Sequence, residues 1–511
     1  MVRIEPVTQQ EYLAGGQCLR KVYEGRRERS PRPGQLSGPR GLSPRAIRFT
    51  VEQADIVRSV VRELYASDSS YALSVQLNAW GCTATVDVLE SRPDGSVLPI
   101  VIQPTYTVKP QALDMLRYQL FLLEKEGYRA HGGKVVCLVK DYERTDPMIL
   151  EDAFRERDCS RQLAAGLKQV PNRIRRIFEA LSSDHPPEPC DQRDKCPACA
   201  APSLGAETSS VGEEIYGREA TQQEGSDPPL DTGLHTLFKG GGMVAKLREQ
   251  GYSSLDELPI SVLPGRRQRL QVHAVQERRR HVDLPGLARF CERMRYPRVF
   301  LDFETISQAL PPVVGTRSWE HVPIQFSLHR RENKGAPLTH IDFIADDLRP
   351  DNDPRESLAS RLAGAIEGAG SVMVFSAAFE RRVLSRLAQW VPRVGERFRD
   401  AIEKIVDVQE PFNEFLLYLP AQRGKTGLKT ILPAVTGSGY ESLDISDGLD
   451  ASLRWFFDYR RSSPDSSPSE AVREQVGARL REYCALDTSG LVSIVQYIEG
   501  QVDSHDLATG H

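Results

Sequence analysis

Apolar and polar residues follow two distinct patterns along the C-terminal half of the chain. Short runs rich in β-branched and aromatic residues predict strands, and segments with apolar residues three and four positions apart predict helices. The predicted strands are residues 299–302, 324–329, 340–344 and 372–375. The predicted helices are residues 355–367, 380–390 and 469–499. Three strands followed by strand–helix alternation favour a mixed sheet with helices on both sides.

The N-terminal half carries a similar alternation around one tight turn, Pro93-Asp94-Gly95. In chain order, its predicted elements are a helix over residues 50–67, strands over 84–90 and 97–103, a helix over 111–126 and a strand over 133–139. Both halves therefore predict α/β folds, and the chain is predicted to be a multidomain α/β protein.

The length of 511 residues predicts two to four domains. Residues 201–231 are rich in Ser, Gly, Glu, Gln and Pro and are interpreted as a linker. Before the linker, residues 1–200 form one predicted domain. After it, residues 232–292 predict a small helical unit and residues 293–511 a second α/β domain.

Composition narrows the functional classes. The formal net charge of −4 gives no global electrostatic reason for nucleic-acid binding, so any such binding must come from local patches. No apolar run approaches the roughly 20 residues needed to span a bilayer. The first residues carry an acid and no apolar core, so no secretory signal is predicted and we expect a cytoplasmic protein. Nine cysteines in such a chain indicate thiols or metal ligands more than disulfides.

Two carboxylates follow the apolar run of the first predicted C-terminal strand. Asp302 and Glu304 are two positions apart, so in a strand they point to the same face. Two like charges on one face at the end of an apolar strand repel each other and resist burial, and a divalent cation removes both costs. Mg²⁺ or Mn²⁺ prefers such oxygen ligands. The alternative is a strand end with two solvated acids.

Further candidate ligands lie downstream. Tyr483 and Asp487 are four positions apart in a predicted helix and therefore share a face. A carboxylate there completes a metal site, and a phenol beside it orients a water molecule. Glu380 follows another apolar strand and leads into the next helix. Asp407, after a short apolar run, is a reserve candidate, with a plain strand-end Asp as its alternative.

The order of these motifs resembles that of the DEDD exonucleases, the DnaQ-like enzymes with a ribonuclease H-like fold. The tyrosine before the last Asp is similar to the DEDDy branch. The motifs LDFETI, IQFSLH, FSAAFE, VDVQEPF, GLKTILPA and YCALDT also resemble an uncharacterised bacterial family in which such a domain follows a RecB-like nuclease module. The resemblance covers most of 293–500.

This resemblance implies a 3′-to-5′ exonuclease that cleaves phosphodiesters with two Mg²⁺ or Mn²⁺ ions, single-stranded DNA being the favoured substrate. The implied metal ligands are Asp302, Glu304, Glu380 and Asp487, and Tyr483 would orient the attacking water. Glu380 departs from the family, which has Asp at the matching position. Because Glu is one methylene longer, we expect the metal geometry to differ from that of the family, with the side chain still able to reach a metal.

The N-terminal order of strands and helix, with Asp87 on its first strand, resembles the PD-(D/E)xK core of RecB-like nucleases. That family needs an acid and a Lys flanking one residue on the second strand, but the matching triplet here is Gln103-Pro104-Thr105. Gln119 matches the family's helix Gln. The module is therefore interpreted as nuclease-shaped and inactive. The alternative is a different alignment that uses Lys109 and Asp114.

Three cysteines, Cys190, Cys196 and Cys199, lie within ten residues among prolines and charges. Thiolates at this spacing can hold one soft metal centre, and Cys18 is the best fourth ligand. The same distribution, one early and three late cysteines, resembles RecB-like nucleases that carry a 4Fe-4S cluster. Zinc is the competing metal. Cys484 and four other cysteines lie among apolar residues and are interpreted as structural: Cys82, Cys137, Cys159 and Cys291.

Residues 247–259 read as a helix, a Gly stop and a capped turn into a second helix, an arrangement similar to a helix–hairpin–helix DNA-binding element. The densest basic cluster follows, formed by Arg266, Arg267, Arg269, Arg278, Arg279 and Arg280. It predicts contact with nucleic-acid phosphates, DNA favoured, with a solvated helix face as the alternative.

The preferred interpretation is thus the exonuclease. Two alternatives remain: a catalytically dead nucleic-acid-binding or assembly protein with an iron–sulfur cluster, and a nuclease acting through its N-terminal module.

Overall fold

The computed structural model describes residues 5–27, 43–188, 230–445, 447–461 and 468–509. Its contacts divide the chain into two compact units. The N-terminal unit comprises residues 1–220 together with 307–320, and the C-terminal unit comprises residues 221–306 and 321–511. The predicted helical unit at 232–292 is thus part of the larger C-terminal unit.

The N-terminal unit contains a six-stranded sheet in which β1, β3, β4, β5 and β6 are neighbours in that order and β2 pairs with β3. The strands are β1 (Val7–Thr8), β2 (Tyr71–Ala79), β3 (Cys82–Ser91), β4 (Val97–Ile102), β5 (Lys134–Leu138) and β6 (Phe154–Asp158). The helices are α1 (Gln9–Gln17), α2 (Leu19–Arg27), α3 (Pro44–Tyr65), α4 (Pro110–Lys125), α5 (Leu150–Ala153), α6 (Ser160–Leu167) and α7 (Val170–Ser182).

Two elements organise this core. Strand β4 is buried along its whole length, which matches its uninterrupted apolar sequence. Helix α4 buries two adjoining faces, and the ring of its Tyr118 stacks on Tyr12 with a centroid distance of 4.3 Å. The hydroxyl of Tyr118 donates to the carbonyl of Val7 at 2.9 Å, which ties α4 to the first strand of the sheet.

The C-terminal unit contains a five-stranded sheet in the order β10-β9-β8-β11-β12 and a two-stranded sheet of β7 and β13. The strands are β7 (His281–Val282), β8 (Arg298–Ser307), β9 (His321–Arg331), β10 (Thr339–Ile344), β11 (Ser371–Val374), β12 (Ile405–Asp407) and β13 (Leu417–Tyr418). The helices are α8 (Gly241–Glu249), α9 (Arg266–Gln276), α10 (Leu284–Cys291), α11 (Arg355–Ile366), α12 (Ala377–Trp390), α13 (Gly395–Glu403), α14 (Glu410–Asn413), α15 (Leu428–Thr436), α16 (Gly448–Arg454) and α17 (Glu470–Thr509).

Strand β8 is central in the five-stranded sheet. It runs parallel to β11, which in turn runs parallel to β12, while β9 and β10 pair in antiparallel fashion. The long helix α17 packs on this sheet: the amide of Gln325 on β9 donates to the carbonyl of Leu480 at 2.9 Å inside the unit. The sheet is therefore mixed, and the predicted α/β class is confirmed for both units.

The predicted helix–turn–helix at 247–259 is wrong in its second helix. Helix α8 ends before Gly251, which has a φ of +94°, but the chain then forms two short 3₁₀ turns, Leu255–Glu257 and Ile260–Val262. Pro259 and Pro264 explain the difference, because each lacks a backbone N–H and disfavours helix in the residue before it. The next helix, α9, begins only at Arg266.

No helix in the parts of the chain that the structure describes is long and apolar enough to cross a membrane.

One ion pair links the start of β8 to the C-terminal part of α17. The guanidinium of Arg298 lies 2.7 Å from the carboxylate of Glu499 and also donates twice to the carbonyl of Met294, at 3.1 and 2.9 Å. The side chain of Arg298 is only 8% exposed. Removal of such a partner leaves a partly buried charge and a buried carbonyl unsatisfied.

We therefore expect Arg298→Met to lower the free energy of unfolding by about 3 kcal/mol, the low end for breaking a buried pair. Urea denaturation measures it. The matched control is Lys334→Met, which removes an exposed pair to Asp503 on the same helix and should cost under about 1 kcal/mol. Equal losses in the two variants would show that the Arg298 pair does not anchor the helix.

Candidate metal centre

Asp302 and Glu304 lie inside β8, and the strand does not end at them as the sequence predicted. It continues through Ser307, since Thr305 and Ile306 are β-branched and pack well in a sheet. The two carboxylates therefore belong to a central strand whose neighbouring residues are buried. Glu304 is buried and Asp302 is partly buried.

Helix α17 brings two further groups to these carboxylates. Cys484 and Asp487 are three positions apart and so share a helix face. The thiol of Cys484 lies 3.7 Å from Asp302 Oδ2. Ligand atoms of Asp302, Glu304 and Cys484 all lie within 4.8 Å of one another, a spacing that one metal ion can bridge.

Asp487 is held by two tyrosines. The hydroxyl of Tyr440 donates to Asp487 Oδ1, and Tyr483 also lowers the pKa of that carboxyl through a hydrogen bond. The two rings are 5.9 Å apart, and the ammonium of Lys429 lies 5.6 Å from the centre of each. Burial outweighs these contacts and raises the pKa of Asp487 to about 6.

Helix α16 approaches Glu304 from another side. A side chain at Gly448 would bring its Cβ to 3.2 Å from Glu304 Oε2, so glycine permits the close approach of this helix. The hydroxyl of Ser452, one turn later, donates to the carbonyl of Thr305 at 2.8 Å. Residues of α16 therefore fix the backbone of β8 next to Glu304.

Glu380 lies in the first turn of α12, after β11. It is 3% exposed, and its Oε2 atom has no hydrogen-bond partner among the described residues. Burial raises the pKa of Glu380 to about 8, with a further contribution from Asp407. Glu380 in turn contributes to the raised pKa of Asp302. A buried carboxylate oxygen without a donor is an available metal ligand.

Asp407, the reserve candidate, has a different task. Its carboxylate accepts hydrogen bonds from the backbone N–H groups of Ser376, Ala377 and Gln409, each at 3.0 Å. Ser376 has a φ of +69°, so this carboxylate stabilises a tight turn between β11 and α12. Asp407 therefore positions the turn that presents Glu380.

The carboxylates of the site carry like charges that repel one another. Burial, followed by the charges of Asp487 and Glu304, raises the pKa of Asp302 well above its usual value. Burial and Asp487 raise the pKa of Glu304 in the same way, and Lys429 compensates only in part. Four buried carboxylates without a cation are unfavourable, because their negative charges repel one another. Divalent cations bound between them remove this repulsion, so the donor set fits Mg²⁺ or Mn²⁺.

The four residues predicted at the N-terminal nuclease site do not assemble into a comparable group. Asp87 accepts from the backbone N–H of Ile102 at 3.0 Å and lies 3.3 Å from Arg62 and 3.6 Å from Arg58. The amide oxygen of Gln103 accepts from the N–H of Lys109 at 3.2 Å. Two guanidinium groups thus balance the Asp87 charge where a nuclease would use a cation.

The other residues of this module make structural contacts. The hydroxyl of Thr105 donates to the carbonyl of Thr107 at 2.9 Å. The amide of Gln119 donates to the carbonyl of Thr85 at 2.9 Å. Asp114, from the alternative alignment, pairs with Arg117 at 2.9 Å and Arg173 at 3.1 Å.

Of the predicted cysteine ligands, Cys190, Cys196 and Cys199 lie outside the described residues. Cys18 is buried at the junction of α1 and α2, where its N–H donates to the carbonyl of Ala14 at 2.9 Å. The other thiols of the N-terminal unit lie in its hydrophobic core, as predicted: Cys82, Cys137 and Cys159.

The arginine cluster divides into two groups. Three members make contacts within the unit: Arg267 pairs with Glu414 at 2.5 Å, Arg269 donates to the carbonyls of Leu263 and Pro264 at 3.0 Å, and Arg278 pairs with Asp256 at 3.4 Å. The other three, Arg266, Arg279 and Arg280, are exposed. These three are the better candidates for a phosphate contact.

Sequence reasoning assigned no site role to three residues near the carboxylates. Cys484 was interpreted as structural, although it stands between Tyr483 and Asp487. Lys429 lies in the motif GLKTILPA and is the site's nearby positive charge. Tyr440, four residues after the end of α15, gave no sequence signal, because its contact with Asp487 joins segments 47 residues apart.

The chain is similar to one protein family and to a solved structure, and neither description states an activity. A family described as a domain of unknown function (DUF2779) matches residues 299–427, a range that contains Asp302, Glu304 and Glu380. A solved structure titled "Crystal structure of SSO0001" is similar at 15% sequence identity and a TM-score of 0.20, over 33% of this chain and 79% of that chain. No curated protein matches.

The raised pKa of Glu380 predicts that this residue lowers the free energy of unfolding of the metal-free protein in a pH-dependent way. Unfolded, the carboxyl ionises above its ordinary pKa of 4.5, whereas the folded protein keeps the proton up to about pH 8. The destabilisation therefore grows between these values. Glu380→Gln should raise the free energy of unfolding by on the order of a few kcal/mol at pH 8 and by much less at pH 5.

Urea denaturation at several pH values in the presence of a chelator measures this difference. The control is Glu482→Gln, which neutralises an exposed carboxylate on α17. A gain for Glu380→Gln that is the same at pH 5 and pH 8 would contradict the assigned burial of this charge.

Substitutions of Asp407 and Glu380 should have different effects, the first on stability and the second on metal binding. Asp407→Ala removes the acceptor for N–H groups of the turn and should lower stability by about 1–2 kcal/mol, while the folded fraction still binds Mn²⁺. Glu380→Ala should weaken Mn²⁺ binding without that loss of stability. Thermal unfolding and calorimetric titration with Mn²⁺ measure the two effects. Loss of Mn²⁺ binding in folded Asp407→Ala would return Asp407 to the list of ligands.

Proposed function

We propose that the C-terminal unit is a metal-dependent 3′-to-5′ exonuclease with a ribonuclease H-like fold of the DEDDy type, acting on nucleic acid and preferentially on single-stranded DNA. The observation that carries this proposal is the convergence of four acids from β8, α12 and α17. Asp487 raises the pKa of both Asp302 and Glu304, and Glu304 and Glu380 also raise that of Asp302. The direction of cleavage comes from the sequence resemblance.

Asp302, Glu304, Glu380 and Asp487 would hold two Mg²⁺ or Mn²⁺ ions. When bound, such a pair supplies an activated water and stabilises the leaving 3′-oxygen in phosphodiester hydrolysis. The longer side chain of Glu380, compared with the Asp of the family, is compatible with this role because its Oε2 atom is buried and has no other partner among the residues that the structure describes.

The surrounding residues prepare the site for a phosphate. Burial and the neighbouring acids raise the pKa of Tyr483 and Tyr440, so both phenols remain hydrogen-bond donors at neutral pH. Tyr440 holds Asp487 in one orientation, and Tyr483 would orient the attacking water. Lys429, an exposed cation above both rings, would attract the substrate phosphate.

The N-terminal unit would then be an inactive RecB-like module that binds DNA. Its cysteines, Cys18, Cys190, Cys196 and Cys199, would hold a 4Fe-4S cluster, with zinc as the alternative. The pairing of Asp87 with Arg58 and Arg62 supports the absence of catalysis there, because the positive charges already compensate the acid. The exposed arginines Arg266, Arg279 and Arg280 would add phosphate contacts.

The first test is degradation of 3′-labelled and 5′-labelled single-stranded DNA and RNA by the purified full-length protein with Mn²⁺. We expect stepwise shortening from the 3′ end. Asp302→Asn should slow it by roughly 10³-fold or more, because metal-assisted charge stabilisation is worth several kcal/mol. Binding of the labelled strand without hydrolysis would instead favour the non-catalytic alternative, for which the Glu at position 380 is the specific indication.

A second variant tests the N-terminal alternative. Asp87→Asn should leave the rate of hydrolysis within about twofold, since Asp87 already has two cationic partners in place of a metal. A large loss in Asp87→Asn together with full activity in Asp302→Asn would assign catalysis to the N-terminal unit.

A further inference from the structure

The position of Cys484 distinguishes it from the other described thiols. Cys82, Cys137 and Cys159 pack against apolar side chains in the core of the N-terminal unit. Cys484 is equally buried, but its thiol contacts the carboxylate of Asp302 and lies within ligand distance of Glu304. An apolar side chain of similar size would satisfy packing at this position without presenting sulfur to two acids.

The spacing of the three groups matches a coordination shell. Oxygen and sulfur ligands lie about 2.1 and 2.3 Å from a tetrahedral divalent ion, which places them roughly 3.6 Å from each other. The observed separation of Cys484 Sγ and Asp302 Oδ2 is 3.7 Å. The remaining ligand separations are below 4.8 Å, so small side-chain rotations would close the set around one ion.

A second observation is an unsatisfied buried acceptor that interacts electrostatically with this group. Oxygen Oε2 of Glu380, on a different element, is buried and lacks a hydrogen-bond partner among the described residues. Glu380 and Asp302 are close enough to interact electrostatically. Glu380 thus adds an acceptor atom that no donor of the described residues satisfies.

We propose that Cys484 is a protein ligand beside Asp302 and Glu304, and that this centre also binds a thiophilic divalent cation such as Zn²⁺ or Co²⁺ in a mixed oxygen–sulfur shell, in competition with Mg²⁺ or Mn²⁺. The inference rests on the metal centre of the proposed function and not on hydrolysis itself. Sulfur ligands favour Zn²⁺ and Co²⁺, whereas Mg²⁺ prefers oxygen alone. Cys484 is accordingly the residue that determines which cation the centre selects.

The consequence for the exonuclease is competition between cations. Zn²⁺ bound through Cys484 would occupy ligands that Mn²⁺-dependent hydrolysis needs. Micromolar zinc should therefore inhibit the wild-type enzyme, and Cys484→Ser should relieve the inhibition. Serine keeps the size and the polar atom but removes the soft ligand.

The deciding measurement is titration of chelator-treated full-length protein with Co²⁺, followed by absorption spectroscopy. Cobalt bound to a thiolate gives a sulfur-to-metal charge-transfer band in the near ultraviolet. The cysteines predicted at 18, 190, 196 and 199 would also bind cobalt, so the readout is the difference spectrum between wild type and each variant. The variants are Cys484→Ser, Asp302→Asn and, as a matched buried control, Cys82→Ser.

We expect Cys484→Ser and Asp302→Asn to lose the same part of the band and Cys82→Ser to lose none of it. Zinc affinity of this centre should fall in Cys484→Ser by at least the roughly 10–100-fold that loss of an outer-shell partner costs. Circular dichroism confirms that each variant is folded.

Two other outcomes overturn the proposal in distinguishable ways. If Asp302→Asn loses bound metal while Cys484→Ser keeps the whole band and the zinc affinity, the centre binds cations through oxygen alone and the exonuclease proposal stands. If neither variant loses any metal, the carboxylates hold no cation, and both proposals fail together.

Discussion

The repulsion among buried carboxylates is the interaction on which the C-terminal unit depends. Asp302, Glu304 and Asp487 share one region inside a folded core, where burial raises the pKa of all three and the charge of Asp487 raises that of Asp302 and Glu304 further. The unit tolerates this cost because the carboxylates come from a central strand and a long packed helix that cannot move apart without loss of core packing. The surrounding donors are few. Tyr440 and Lys429 offset part of the charge, and one oxygen of Glu380 has no donor in the part of the chain that the structure describes. A bound divalent cation would compensate these charges, so the burial of the acids and their raised pKa values have the same cause as the proposed chemistry.

The two units respond to the same problem, an acid on a sheet strand, in opposite ways. In the N-terminal unit, helix α3 supplies Arg58 and Arg62 to Asp87, so the charge is balanced by the protein itself. In the C-terminal unit, the corresponding neighbours of Asp302 are other acids and a thiol. Guanidinium groups beside an acid make the site stable without a metal, and their positive charge disfavours metal binding. Clustered acids are unstable without a metal and favour its binding. This contrast follows from side chains on neighbouring helices, and it supports the proposal that hydrolysis belongs to the C-terminal unit.

Local sequence patterns predicted most of the helices and strands and the pairs of site residues that lie on one helix or strand. The features that they did not predict depend on tertiary contacts. The two-residue period of a strand placed Asp302 and Glu304 on one face, and the helical period placed Tyr483 beside Asp487. The same rules could not show that β8 continues past Glu304, because pairing with neighbouring strands decides where a strand ends. They could not find Tyr440, whose only signal is its contact across 47 residues, and they assigned Cys484 to packing because its flanking residues are apolar. The capping role of Asp407 also depends on the turn at Ser376, which its own strand does not reveal.

The ion pair of Arg298 and Glu499 helps to fix the position of α17 relative to β8. Glu499 lies 15 residues after Cys484 on the same helix, a distance of about 22 Å, and Arg298 lies four residues before Asp302 on β8. Strand and helix therefore meet at two separated points, the ion pair at the start of β8 and the thiol–carboxylate contact in the middle of both elements. Two attachments along a rigid rod fix its sliding register: a displacement by one helical residue, about 1.5 Å, would break both contacts at once. Metal–ligand distances tolerate errors of only about 0.2 Å, so in the proposed metal centre the positions of the ligands on α17 would depend on an ion pair about 22 Å away along the same helix.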